Sequence, residues 1–238
     1  MLRQRPGTKA VMRQCWRSLL FLHFACDANE VQALLPTGLE IETFPDETCR
    51  ERAWVGLVPF RMEGVRPVFL PAVPYLSAFP ETNVRTYVRH QGKAPGVWFF
   101  SLEAGNALAC KIARRFFGLP YFAADMSVIE EGDQIEYRSR RRGHGAECNV
   151  TAQFQDQIAL AEPGSLEFFL IERYLLYALK DGRLYSGRVH HSPYPLRKAH
   201  VTSTQESLVK AAGIEPRPIT HVCASDGVDV DVFPLNPL

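Results

Sequence analysis

The stretch that decides the fold is Ala113-Arg114-Arg115-Phe116-Phe117-Gly118-Leu119-Pro120-Tyr121, where a helix gives way to an extended chain. Residues 105 to 117 are predicted to form that helix. Gly118 then suits the left-handed conformation that commonly ends a helix, and Pro120 cannot continue one. Strands are predicted before and after this segment, so the helix joins two extended parts of the chain.

Residues 81 to 89 alternate between two faces, as a β-strand requires. One face carries larger and mostly polar side chains: Glu81, Asn83, Arg85, Tyr87 and Arg89. The other face carries only threonine and valine. Gln91-Gly92-Lys93 predicts a hairpin turn that leads into a strand over residues 96 to 103.

The remaining segments predict a strand-rich chain with short helices. Further strands are predicted over residues 16 to 25, 53 to 62, 125 to 130, 134 to 141, 147 to 154, 183 to 191 and 221 to 233. Helices are predicted after Asp27, an N-cap with Glu30 as its capping-box partner, and over 165 to about 179 and 202 to 212. Prolines at 67, 71, 74 and 80 predict an irregular loop. No repeat or linker interrupts the chain, so residues 1 to 238 predict one domain.

The composition is that of an ordinary globular protein. The chain has 238 residues, of which 46% are hydrophobic and 22% charged, and this length can bury a sizeable core. The net charge of +1 gives no global reason to expect a nucleic acid or an anionic membrane as a partner. No stretch approaches the length of a membrane span.

The six cysteines are scattered and include no Cys-x-x-Cys pair. This spacing argues against a zinc ribbon and against a small disulfide scaffold. Reduced thiols in a cytoplasmic protein are therefore expected.

A series of motifs occurs in a fixed order along the chain. They are Trp16, Leu19-Leu20-Phe21, His23, Leu34-Leu35-Pro36, Trp54 to Phe60, Phe79 to Val88, Trp98 to Glu103, Leu119-Pro120-Tyr121, Glu172-Arg173-Tyr174-Leu175 and His191 to Leu196. Together they resemble the YqjF-like family of uncharacterised bacterial proteins, over roughly residues 10 to 235. The helix end at Arg114 and Pro120 more distantly resembles acetoacetate decarboxylase.

The resemblance implies an acetoacetate decarboxylase-like α+β fold, with a mostly antiparallel, closed or nearly closed β-barrel and peripheral helices. In that enzyme family a lysine after the proline forms a Schiff base, whereas Tyr121 and Phe122 stand here where a lysine pair would be. An imine requires a primary amine, which a phenol cannot supply. Lys111, the amine of the same helix, has no reason to face the cavity. We therefore expect chemistry without a Schiff base and without a cofactor.

The polar face of the strand 81 to 89 has two interpretations. It either meets solvent or lines a cavity in which its charges pair; the family resemblance favours the cavity. There Arg85 would clamp a carboxylate through its planar fork, Asn83 would contact the same ligand, and Glu81 would act as an acid or base.

Four residues elsewhere complete the candidate site. Glu103 ends the next strand and is either a second catalytic carboxylate or a surface group. Arg114 would bind ligand or pair with Glu81 or Glu103 inside the barrel. Tyr121 would donate a hydrogen bond to a substrate carbonyl or plug the pocket. His191 is either a ligand-binding proton donor or a buried core histidine.

Metal binding is not predicted. The adjacent His190 and His191 point to opposite faces of a strand, so they cannot easily share one ion with each other and with His200.

These residues favour an enzyme that performs acid–base chemistry on a small metabolite bearing a carboxylate or carbonyl group. Two alternatives stay open: a non-catalytic small-molecule-binding protein, and an interaction module that uses the proline-rich loop 67 to 80. A closed polar pocket would favour the first two, and a barrel filled with apolar side chains would favour the third. The expected partner is a small molecule, with no nucleic acid and no membrane; a homo-oligomer remains an open alternative.

Overall fold

The computed structural model describes residues 2–73 and 76–238. In these residues thirteen strands join one sheet. The strands are β1 (Met12–Cys26), β2 (Leu39–Ile41), β3 (Thr43–Pro45), β4 (Glu51–Pro67), β5 (Phe79–His90), β6 (Lys93–Ala104), β7 (Tyr121–Glu131), β8 (Gln134–Arg141), β9 (Glu147–Gln157), β10 (Leu175–Lys180), β11 (Arg183–His190), β12 (Leu196–Glu206) and β13 (His221–Pro237). The helices are α1 (Ala28–Gln32), α2 (Ala107–Phe117), α3 (Leu166–Ile171) and α4 (Leu208–Ala211).

The sheet closes on itself. Its pairings run β1–β4–β5–β6–β10–β11–β13 and return to β1, which makes a ring of seven strands. Strands β7, β8, β9 and β12 form a second path from β6 to β13. The pairs β6–β10 and β6–β7 are parallel, and the other described pairs are antiparallel. The predicted closed or nearly closed, mostly antiparallel barrel with peripheral helices is thus confirmed.

The first strand contributes alternate side chains to two separate cores. Leu19 and Phe21 belong to the core inside the ring, whereas Leu20 and Leu22 belong to a second core beneath β8, β9 and α4. A strand buried on both faces needs apolar residues at every position. This explains the continuous apolar run in β1, and why it resembles a buried core strand rather than an alternating surface strand.

Helix α2 ends as the sequence predicts. The side chain of Asn106 accepts hydrogen bonds from the backbone N–H groups of Leu108 and Ala109 at the N-terminus. Gly118 has a φ of 62° and donates its N–H to the carbonyl oxygen of Arg114. A Cβ at Gly118 would lie 2.9 Å from the carbonyl oxygen of Leu179, so both the backbone conformation and the available space require glycine.

Two predicted helices are each divided between a short helix and a strand. Helix α3 stops at Ile171, and the rest of the segment 165 to 179 includes β10, which forms a hairpin with β11. In the segment 202 to 212 the chain continues β12 to Glu206, and only Leu208–Ala211 is helical. Pairing with β11 and β9 outweighs the local helical pattern in both places.

Smaller predictions are confirmed in part. Asp27 caps α1 by accepting from the N–H groups of Asn29 and Glu30, but the Glu30 side chain binds Arg217 instead of completing a capping box. In the proline-rich segment, Pro67 ends β4 and Pro80 lies in β5, while Pro74 lies outside the described residues. No disulfide joins the cysteines of the described chain. No helix in the described ranges is long and apolar enough to cross a membrane.

Candidate functional site

The ring encloses a cavity of about 350 Å³. Its walls come from all seven ring strands, and α2 and the segment after β4 lie at one end. Most lining side chains are apolar. The charged, amide and phenolic groups among them are few: Gln14, Arg66, Glu81, Asn83, Arg85, Asn106, Tyr121, Arg173 and Tyr194.

Strand β5 brings Glu81, Asn83 and Arg85 to the cavity together. Their exposed fractions are only 2%, 5% and 8%, and all three line the cavity. The opposite face of β5, with Thr82 and Val84, is also buried. The solvent-facing alternative for this strand is therefore wrong.

Glu81 is hydrogen-bonded to Tyr121, the first residue of β7. The Tyr121 hydroxyl donates to Glu81 Oε2 across 3.0 Å. Burial raises the pKa of Glu81 to about 8, with the Tyr121 hydrogen bond opposing the shift and Glu103 adding to it. The pKa of Tyr121 also lies well above its usual value, because the phenol is buried beside Glu81. At neutral pH both groups thus hold their protons.

Arg85 is a buried guanidinium without a carboxylate partner among the described residues. Its Nη2 donates to the carbonyl oxygen of Leu170 across 3.1 Å, and its Nε has no hydrogen-bond partner in that same part of the chain. The guanidinium carbon lies 5.7 Å from the ring centre of Phe21 and 5.9 Å from that of Tyr87. An internal ion pair with Glu81, one of the predicted arrangements, is absent from the described structure.

Asn83 lies between Glu81 and Arg85 on the same face of β5. Its Oδ1 is buried and accepts no hydrogen bond from the described residues. Glu81, Asn83 and Arg85 form no hydrogen bond with one another, so the pairing of charges expected for a cavity wall is not found between them. Such an unsatisfied acceptor is costly in a protein interior, so it is suited to a ligand or a water molecule.

Arg173 is a cavity residue that the sequence analysis did not identify. It forms an ion pair with Glu42 at 2.6 Å and lies over the rings of Tyr87 and Phe169. Burial lowers the pKa of Arg173, although Glu42 opposes the shift. Its place in a predicted helix concealed its role. In the structure, Arg173 lies between α3 and β10.

Glu103 and Arg114 do not belong to the cavity. Glu103 lies on the opposite face of β6, where Arg141 Nε donates to its Oε1 across 2.9 Å and Ser101 donates to its Oε2 across 3.1 Å. Arg114 is exposed on α2 and forms no ion pair with any described residue. The expected pairing of Arg114 with either carboxylate is wrong, because its position on α2 faces away from the ring interior.

His191 is buried but does not line the cavity. Its Nδ1 lies 2.7 Å from the Ser192 carbonyl oxygen and donates to it. Its ring lies 4.5 Å from that of Tyr174 and 4.7 Å from that of Tyr194. Burial lowers the pKa of His191, so the neutral core histidine is the better of its two interpretations.

A second group of polar atoms, from His23, His221 and Tyr87, lies next to Arg85. His23 is fully buried, and its Nδ1 lies 3.0 Å from Nδ1 of His221. A Cβ at Gly56 would lie 3.3 Å from the Tyr87 hydroxyl and 3.4 Å from both Arg85 Cγ and His23 Cδ2. Glycine therefore leaves the space in which these three side chains meet. The sequence pattern of β1 and β4 did not reveal that His23 meets Arg85 and Tyr87 at Gly56, because this contact depends on how the strands pair.

None of the six lysines lines the cavity. Lys111 lies on α2 and is exposed. The other lysines lie elsewhere in the chain, and all of them are exposed except Lys180, which is half-buried. No group of three histidine, cysteine, aspartate or glutamate side chains in residues 2–73 and 76–238 is arranged to hold a metal ion.

Solved structures that resemble this arrangement of strands include enzymes. Acetoacetate decarboxylase from Legionella pneumophila superposes with a TM-score of 0.69 at 14% identity, and the match covers 100% of this chain and 92% of that one. The enduracididine biosynthesis enzyme MppR, solved with pyruvate, superposes with a TM-score of 0.63 at 10% identity, covering 98% of this chain and 93% of MppR. At these identities the likeness shows a shared fold alone.

Sequence relatives identify the family itself. The uncharacterized protein YqjF of Bacillus subtilis (strain 168) is 38% identical over 235 residues, which cover 95% of this chain and 92% of YqjF. The model of DUF2071, a family described as an uncharacterized conserved protein, matches residues 13–229. The chain therefore belongs to the DUF2071 family, which includes relatives such as YqjF and here has an acetoacetate decarboxylase-like fold.

Proposed function

We propose that this protein is an enzyme that performs acid–base chemistry on a small metabolite with a carboxylate and a carbonyl group, without forming a Schiff base. The single observation that carries the proposal is Arg85, a buried guanidinium that lines the cavity and has no acidic partner among the described residues. An unpaired buried charge is costly. A bound carboxylate removes that cost and satisfies the free N–H groups.

Glu81 is the proposed acid. With a pKa of about 8, it is protonated near neutral pH and still able to release its proton in the same range. Tyr121 binds one carboxyl oxygen, which leaves the other free to carry the proton toward the cavity. Glu81 donates that proton to the carbonyl oxygen of the substrate as negative charge develops there.

The positions of the lysines support a mechanism without an imine. A covalent imine with a substrate carbonyl needs an amine in the cavity, and no lysine lines it. Tyr121 instead keeps Glu81 in place by a hydrogen bond. Glu103, Arg114 and His191 lie outside the cavity lining and have no role in this proposal.

A non-catalytic binding protein is the second candidate, favoured by the absence of a nucleophilic amine from the cavity lining. The interaction-module alternative is less well supported, since a cavity of about 350 Å³ remains open inside the ring.

The enzymatic proposal is tested by deuterium exchange. Protonation of a carbonyl oxygen by Glu81 promotes enolisation, in which water takes up the proton that leaves the neighbouring carbon. When the enol returns to the ketone, its O–H proton goes back to the Glu81 carboxylate and a deuteron from D2O enters at carbon. NMR monitors the loss of the C–H signals in a panel of keto acids. We expect exchange with the unmodified protein. Glu81→Gln should reduce the rate by about 100-fold or more, the usual size of a general acid's contribution.

Two further variants separate binding from chemistry. Arg85→Gln should weaken keto-acid binding measured by calorimetry, whereas Arg114→Gln, an exposed arginine on α2, should change neither binding nor exchange. Exchange that persists in Glu81→Gln at the unmodified rate would disprove the acid role. Binding without exchange for every keto acid would favour the non-catalytic candidate.

A further inference from the structure

We infer that the cavity binds medium-chain monocarboxylates of about six to eight carbon atoms, with the carboxylate at Arg85 and an oxygen-bearing carbon near the other end at Glu81. This inference rests on the proposed function and specifies its substrate class. Three features support it: the distance between the two polar groups, the charge that the cavity leaves unpaired, and the apolar surface between its ends.

Glu81 and Arg85 lie four residues apart on one strand, which separates their Cα atoms by about 13 Å. The guanidinium of Arg85 lies over Tyr87, two residues further along β5, and therefore leans away from Glu81. The guanidinium and the Glu81 carboxyl group are therefore at least as far apart as the two Cα atoms, and subtracting a hydrogen bond of about 3 Å at each end leaves about 7 Å or more. Because three backbone bonds advance about 3.5 Å, about six bonds span this gap. A three- or four-carbon keto acid is too short to contact both groups.

The charges in the cavity favour a single carboxylate. Arg173 is paired with Glu42, which also binds the exposed Arg89, and a protonated Glu81 carries no charge. Of the buried arginines in the described lining, Arg85 is therefore the one without an acidic partner. Arg66 also lines the cavity without an ion pair to any described residue, but it is half-buried at the end of β4, where its Nη1 donates to the Gly64 carbonyl oxygen. The second carboxylate of a dicarboxylate would lie against apolar side chains or beside Glu81, where desolvation opposes it.

The surface between the two ends is apolar. Val58 and Phe60 of β4 and Phe99 and Leu102 of β6 flank β5 and line the cavity. Only Asn83 places a polar group between Glu81 and Arg85 on β5. Hydrocarbon bound there would bury apolar surface on both sides, which favours a ligand with several methylene groups.

The apolar surface continues to the outside at the Glu81 end. Leu70, Leu108 and Ile112 line the cavity and are 50%, 51% and 44% exposed. They lie in the segment after β4 and on α2, next to the start of β5. An acid with a hydrocarbon chain meets apolar side chains along this path, and its carboxylate then reaches Arg85 at the buried end.

Calorimetry with straight-chain acids from acetate to decanoate tests the inference on the unmodified protein. We expect affinity to rise about fourfold per methylene group up to about heptanoate, the length that spans from Arg85 to Glu81. Longer acids should gain less per methylene group, because those groups lie among the half-exposed side chains beyond Glu81. Pimelate should bind at least tenfold more weakly than heptanoate, because of its second charge. 6-Oxoheptanoate should bind about fivefold more tightly than heptanoate, and Glu81→Leu should abolish that ratio.

The possible results separate this inference from the proposed function. Equal affinity from acetate to heptanoate, lost in Arg85→Gln, would overturn the chain-length inference and leave the carboxylate site intact. Pimelate binding as tightly as heptanoate would overturn the single-charge argument. Binding that Arg85→Gln does not weaken, or no binding by any acid, would overturn both. Arg114→Gln serves as the matched control, and the chain-length series does not depend on a variant folding.

Discussion

The Tyr121 hydroxyl donates a 3.0 Å hydrogen bond to Oε2 of Glu81, and this contact joins the first residue of β7 to the cavity face of β5. Tyr121 stands where the acetoacetate decarboxylase resemblance expects a lysine. A lysine beside Glu81 would favour the ionised carboxylate, whereas the phenol leaves the buried carboxyl group protonated near neutral pH. Under the proposed function, a phenol at this position therefore offers no nucleophile and leaves Glu81 as an acid.

The protonation of Glu81 predicts a specific pH dependence of stability. Its pKa rises from 4.5 in its ordinary state to about 8 in the folded protein, so between these values the folded state holds a proton that the unfolded state has lost. Stability is fully present below pH 4.5 and is lost as pH rises toward 8, by up to about 1.4 kcal/mol per pH unit. Glu81→Gln should remove this decline.

Urea denaturation between pH 6.5 and 8 measures the difference. In this window the unfolded histidines are mostly neutral. A difference between the unmodified protein and Glu81→Gln in the slope of unfolding free energy against pH is therefore caused by Glu81. Glu206 is not a cavity residue, so Glu206→Gln is the control for removing a carboxylate elsewhere. Parallel slopes for the unmodified protein and Glu81→Gln would show that Glu81 is ionised in the folded state.

The replacement of the lysine predicts the result of imine trapping. Incubation with acetoacetate and borohydride should give no covalent mass increase, since no lysine lines the cavity. A lysine-dependent acetoacetate decarboxylase treated in parallel is the positive control. A stable adduct that peptide mapping assigns to any lysine, including Lys111, would contradict the mechanism without a Schiff base.

The sequence predicted the polar wall of the cavity because that information is local. The alternation in residues 81 to 89 places Glu81, Asn83 and Arg85 on one face of a strand whatever the rest of the chain does. The end of α2 at Gly118 was predictable for the same reason. Both depend on a few neighbouring residues, and both are present in the structure.

Features that depend on distant pairing were not predictable from local pattern. Arg173 lies in a segment with helical spacing, and only the pairing of β10 with β6 and β11 makes the next residues of that segment a strand. The partner of Glu103 is Arg141, 38 residues away on β8. No local pattern shows which of the three adjacent arginines pairs with Glu103. Arg140 and Arg141 occupy opposite faces of β8, and Arg142 follows the end of that strand.

The pair of Glu103 and Arg141 is expected to act on stability. Both side chains are buried, at 0% and 9% exposure, so Arg141→Met leaves an uncompensated buried carboxylate. We expect this change to lower the free energy of unfolding by about 3–5 kcal/mol. The adjacent Arg142, whose pair with Asp125 is exposed, provides the control: Arg142→Met should cost about 0–1 kcal/mol.

Urea denaturation of both variants, together with heptanoate binding, checks this role. Glu103 does not line the cavity, so Glu103→Gln should leave heptanoate affinity unchanged wherever the protein remains folded. A loss of heptanoate affinity in folded Glu103→Gln would show that Glu103 contributes to the binding site. Equal losses of unfolding free energy in Arg141→Met and Arg142→Met would contradict a stabilising role for the buried ion pair.

His23 predicts a loss of stability at acid pH. Burial holds the pKa of His23 well below its usual value of 6.5, and the neighbouring His221 and Arg85 disfavour its protonation further. The stability that this neutral histidine contributes is present above pH 6.5. It is lost as pH falls below that value, because the unfolded chain binds a proton that the folded protein excludes. The slope should approach about 1.4 kcal/mol per pH unit for this one group.

Urea denaturation from pH 6.5 to 5 compares the unmodified protein with His23→Gln and with His144→Gln. His144 is exposed in the turn between β8 and β9, so its replacement should leave the pH dependence unchanged. His23→Gln should give a shallower decline, since glutamine has no proton to gain. If the decline persists at full slope in His23→Gln, the imidazole of His23 is protonated within the folded protein and cannot be the source of the acid sensitivity. A His221→Gln variant then tests the other member of the pair. Burial lowers the pKa of His221, and the neighbouring Glu167 only partly opposes this shift.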